Sequence, residues 1–195
     1  MQEEKFSPEE SLRLIQSMIS KTKQDMSDNS IYFLVWGWLT FIACTGQFVL
    51  KHIYKYEKHY IVWAVIIIGI LFSIYQGRKD EKTMKAKTYV DESIKHLWAG
   101  MAISFFVLGM ILTKLGWGTS IFSFYIMLYG LGTFVSGSII QFRPLIIGGL
   151  IAWALAIGAT FASYDYQMLF GAAAILISYI IPDYMLLTRN KQFIT

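Results

Sequence analysis

The stretch Ile61-Val62-Trp63-Ala64-Val65-Ile66-Ile67-Ile68 is apolar at every position, and its reading decides the fold class. A strand of a transmembrane barrel alternates apolar and polar residues over roughly ten positions, because one face meets lipid and the other the lumen. A membrane helix satisfies its own backbone and needs no such alternation. The run therefore reads as helix, within an uncharged segment, 60–76, long enough to cross a hydrocarbon layer.

Five more segments of this kind follow from the sequence: 31–50, 97–113, 120–140, 144–163 and 166–187, of which only the last holds a charge, Asp183. Of the 195 residues 55% are hydrophobic and 15% charged, with a mean hydropathy of +0.49. Soluble domains carry about 25% charged residues, so a water-soluble globule is excluded. The expected fold is all-α and polytopic: a six-helix transmembrane domain over 31–188 with a loop at 77–96, preceded by an N-terminal segment, 1–30, and followed by a tail, 189–195. Three hairpins can also be aligned as an internal repeat. Each even-numbered helix has a small residue four positions before a serine: Gly69 and Ser73, Gly132 and Ser136, Ala174 and Ser178.

Placing the N-terminus inside puts 13 of the 17 Lys and Arg residues on the inner side, leaving Lys51, Lys55, Lys58 and Lys114 outside. The positive-inside rule thus orients both termini toward the cytoplasm. In a soluble protein the net charge of +4 would suggest a nucleic-acid partner. Here the cations flank membrane spans, and the partner they imply is the lipid bilayer and its anionic headgroups. The first thirty residues hold six acids and four Lys or Arg without a long apolar run, so no cleavable signal peptide is expected.

Within that segment Ser7-Pro8-Glu9-Glu10 has the residues of a helix start: a cap, a proline suited to the first turn and a glutamate able to close a capping box. From there to Lys23, Leu12, Ile15, Met18 and Ile19 fall on one face and Glu9, Arg13, Gln16 and Lys23 on the other. Such an amphipathic helix can fold onto its own bundle, lie on the inner membrane surface or receive a cytoplasmic protein partner.

Between lipid-embedded helices close approach depends on small residues. The fifth span carries two ridges at four-residue spacing, Gly148, Ala152 and Ala156, and beside them Ala154, Gly158 and Ala162. It is expected at the centre of the bundle with both ridges covered. Gly132 and Ser136 of the fourth span are its natural counterparts, and the same ridges are expected to support a homo-oligomer.

Asp183 is the principal candidate for chemistry, since an ionisable group at membrane depth is costly and by default functional. It is expected to face protein rather than lipid, with Arg143 at the Gln141-Phe142-Arg143-Pro144 turn as its ion-pair partner. His52, Glu57 and His59 lack the spacing of a metal site, and Asp165 is expected to cap the sixth helix. Cys44 is the only cysteine and reads as a core residue. Thr40, Thr45, Gln47, Ser104, Thr133, Ser136 and Ser138 either bond between helices or line a narrow polar path. No spacing forms a catalytic, cofactor or metal motif. The reading is a non-enzymatic accessory, sensory or scaffolding protein, and the alternative is a small transporter or channel with a polar path among helices one, three and four and Asp183 near its inner end.

The segments Glu9-Glu10-Ser11-Leu12-Arg13-Leu14-Ile15-Gln16-Ser17-Met18-Ile19, Phe33-Leu34-Val35-Trp36-Gly37-Trp38 and Gly130-Leu131-Gly132-Thr133-Phe134-Val135-Ser136-Gly137 resemble those of a group of small multi-pass bacterial inner-membrane proteins. The resemblance spans the chain, implies localisation in the bacterial inner membrane, and transfers no catalytic residue.

Overall fold

A computed structural model describes residues 31–82, 89–115 and 120–191. The expected amphipathic helix near the N-terminus and most of the C-terminal tail lie outside the described residues. Among the described residues six helices are long and apolar enough to cross a membrane. Helix α1 covers Ile31–Ile53, its last turn a π-helical stretch, Val49–Ile53. Helix α2 begins as a 3₁₀ stretch, His59–Val65, and continues as Ile66–Lys82. Helix α3 is Tyr89–Leu115, α4 Ile121–Ile140 and α5 Arg143–Thr160. Helix α6 comprises Tyr164–Ile175, a π-helical stretch Leu176–Ile180, and Ile181–Lys191. Much of the expected 77–96 loop is therefore helical, as α2 and α3 extend toward each other beyond their apolar segments.

The helices alternate in direction, which defines two faces. The near face holds the start of α1, and the far face holds its end. Helices α1 and α6 run antiparallel along their whole length. A side chain at Gly37 would touch Tyr179 and Ile180, one at Gly171 would touch Cys44, and Lys51 meets Asp165 at the far end. Between α4 and α5 a two-residue turn suffices because Gln141 adopts the left-handed conformation (φ 57°) and returns its N–H to the Gly137 carbonyl. Pro144 opens α5, where its missing N–H costs nothing.

The most extensively packed helix pair is α4 with α5. A Cβ at Gly137 would lie 2.7 Å from the Ile146 nitrogen, and one at Gly149 would lie 2.6 Å from the Phe134 Cβ. Only glycine permits these approaches, which bring backbone dipoles and neighbouring side chains into contact where lipid offers no hydrophobic drive. Gly148, Ala152 and Ala156 are buried, with Gly148 against the backbone of Ser178 in the π-helical stretch of α6. The second ridge does not behave as expected. Ala154 is exposed to lipid, and Gly158 is covered only by the ring of Phe170. Two ridges on one helix diverge around its axis, so one faces α4 and α6 while the other turns outward. The most enclosed span is accordingly α6: of an apolar 18-residue stretch of it 56% is buried, against 33% for α5 and 6% for α2.

Hairpins one and two share one docking unit. The Trp36 indole donates to Ser73 Oγ at 3.1 Å and covers Gly69; the Trp98 indole donates to Ser136 Oγ at 3.1 Å and covers Gly132. Gly69 also faces Leu39, three residues after Trp36, and Gly132 also faces Met101, three residues after Trp98. The register is thus the same in both. In the third hairpin Gly148 occupies the position facing Ser178, and a direct backbone contact replaces the tryptophan.

Candidate functional site

Four aromatic rings from four helices meet in the near half of the bundle. Tyr129 of α4 and Tyr179 of α6 lie 5.1 Å apart edge to face. Trp98 of α3 is 5.8 Å from Tyr129 and 5.7 Å from Tyr179, and Phe33 of α1 is 5.5 Å from Tyr179. Edge-on contacts place positive ring edges on negative faces, so the cluster fixes the four helices laterally as well as filling space. Tyr129 and Tyr179 stand far from the ends of their spans, where tyrosine has no interfacial role. That mid-span position is the signal in the sequence that points to them.

Asp183 lies one helical turn beyond Tyr179 on the buried face of α6, together with Leu186. It is 0% exposed, and neither carboxyl oxygen has a hydrogen-bond partner; the Tyr129 hydroxyl is also buried without one. The expectation that Asp183 faces protein is met by this placement. The expected ion pair with Arg143 is not formed. Arg143 is exposed in the first turn of α5 and shares a groove with Ile181, Tyr184, Met185 and Thr188. Those positions form the outward face of α6, whereas Asp183 is on the inward one. The helix itself separates the two charges.

The far half has the opposite character. Gln47 of α1, 2% exposed, accepts a hydrogen bond from the Trp63 indole at 2.5 Å, lies 3.0 Å from His59 Nδ1, and donates to the Tyr164 hydroxyl at 3.4 Å. One amide thereby ties α1 to α2 and α6. Beside it Asp165 forms an ion pair with Lys51 at 3.0 Å and faces His52 at 3.3 Å, while the Lys51 ammonium sits 3.8 Å from the centre of the Tyr164 ring. Ser163, not Asp165, occupies the N-cap position of α6. His52 and His59 thus have different partners, and Glu57 is exposed in the turn between them. Among the described residues no three His, Cys, Asp or Glu side chains converge.

The other polar residues of the spans mostly bond within their own helices. Thr40, Thr45, Ser104, Thr133 and Ser138 each donate to the carbonyl four residues back. Ser136 instead receives the Trp98 indole, and Cys44 is buried in the core. His96, at the near end of α3, is exposed, with Nδ1 2.7 Å from the Glu92 carbonyl. Comparison of the chain with protein-family models, curated proteins and solved structures found no match to any of them.

Proposed function

We propose that the chain is a non-enzymatic integral protein of the bacterial inner membrane, with both termini in the cytoplasm, acting as an accessory, sensory or scaffolding component for a partner on its cytoplasmic face. The observation that carries this reading is where the polar groups of the spans are spent. Five hydroxyls are turned into their own helices, Gln47 and Ser136 join helices, and the remaining volume between α1, α3, α4 and α6 is filled by packed rings. A polar path would need such groups to face one another across a gap. The 13 to 4 asymmetry of basic residues supports the orientation. Ala154, exposed with Ile147, Leu150 and Ile157 on the outward side of α5, offers the surface for a homo-oligomer.

A second reading, a small cation or proton transporter, is favoured by one observation, the unpartnered Asp183 at membrane depth. Reconstitution into liposomes separates the two. Under an imposed proton or potassium gradient, the protein is expected to give no flux above protein-free vesicles. Flux that disappears in Asp183→Asn would overturn the non-transport reading and establish the second.

A further inference from the structure

The turn joining α4 to α5 and the last turns of α6 enclose an open groove of about 920 Å³ on the near face. Its apolar walls include Pro144, Ile181 and Met185, and its polar side chains are Gln141, Arg143, Tyr184 and Thr188. Ile181 and Met185 are about half exposed, and with Ile177 they continue as an apolar strip up α6 toward the membrane interior. Arg143 is the only charged residue between Lys114 and Asp165, and it has no acidic partner among the described residues. The Tyr184 hydroxyl accepts the Trp38 indole proton at 3.3 Å, which leaves its own proton to donate. The Thr188 hydroxyl is occupied by the Tyr184 carbonyl.

The geometry points to a binding site for an anionic phospholipid, its phosphate against the Arg143 guanidinium and the Tyr184 hydroxyl and one acyl chain along Ile181 and Ile177. Guanidinium presents a fork of donors that fits phosphate oxygens, and a cation at the membrane boundary attracts anionic lipid. The class of lipid follows from charge. Asp183, the one acid in this part of α6, is turned to the other side of the helix, so among the described residues no carboxylate lines the groove to receive the ammonium of a zwitterionic headgroup. The site rests on the membrane-spanning architecture and is independent of whether the protein transports anything.

Native mass spectrometry of the full chain in detergent, titrated with dioleoyl phosphatidylglycerol or dioleoyl phosphatidylcholine, tests this. The expected result is tighter binding of phosphatidylglycerol, weakened about fivefold in Arg143→Gln, less in Arg143→Lys, which keeps the charge and loses the fork, and unchanged in Lys114→Gln at the far end of α3. Ile181→Trp, which fills the groove and leaves the charge, is expected to remove binding of the lipid as well. Equal binding of the two lipids, or an unchanged phosphatidylglycerol affinity in both Arg143→Gln and Ile181→Trp, would overturn the proposal. Displacement of the lipid by an equal concentration of inorganic phosphate would also overturn it, since the groove would then recognise a free anion.

Discussion

Helix α6 carries an aspartate near each end, and the two are treated in opposite ways. Asp165 at the far end is partly exposed and held by Lys51 and His52, next to a glutamine that serves three neighbours. Asp183 at the near end is fully enclosed, with both oxygens unmatched. A polar group whose bonds are all made explains its own presence by holding the fold together. One that is buried and unmatched costs about 1–3 kcal/mol and needs another reason to be there. The bonds of the far cluster thus account for its presence, and those of the near centre do not account for Asp183.

Three substitutions sharpen that contrast, and the largest effect belongs to the near end. Asp183→Leu removes an unmatched group from a buried, mostly apolar setting and is expected to stabilise the protein by about 1–3 kcal/mol in a denaturant titration in mixed micelles. Loss of stability would mean that Asp183 has partners in the folded protein after all, and the contrast would collapse. Gln47→Leu is expected to destabilise by about 1–2 kcal/mol, because the Trp63 indole and the Tyr164 hydroxyl lose their shared partner. A neutral outcome would show the far network to be dispensable. Asp165→Asn should cost less than about 1 kcal/mol, with the difference shrinking as salt is raised, because its ion pair is partly exposed. A loss as large as that of Gln47→Leu would place the ion pair, rather than the amide, at the centre of the far cluster.

Six spans were legible in the sequence because length and the absence of charge are one-dimensional properties. The expected segments 120–140 and 144–163 differ by only a few residues from Ile121–Ile140 and Arg143–Thr160. Properties that depend on rotation about a helix axis were not legible. The ridge through Gly148 and the ridge through Ala154 look alike in sequence, yet one is buried and the other faces lipid. Small residues suggested α5 as the central helix, whereas α6 is more enclosed, since aromatic rings such as Tyr179 can fill a centre as well as alanines can. The Arg143 and Asp183 pairing failed for the same reason: shared depth does not mean a shared face. Gln47 was legible as a polar residue within a span, but its three partners come from two other helices and from sequence separations of 12 to 117. The π-helical stretch at 176–180 had no signal in composition.

The central claim is that the near half of the bundle, around Asp183, is closed to water. Its most direct measurement uses Cys44→Ala as a cysteine-free background, into which Asp183→Cys and Thr188→Cys are introduced singly and exposed to a membrane-impermeant maleimide from each side. Thr188→Cys, at the exposed end of the groove, is expected to react from one side, and Asp183→Cys is expected to react from neither. Modification of Asp183→Cys from either side would contradict a sealed interior and would leave a water-accessible path to the centre of the molecule as the better account.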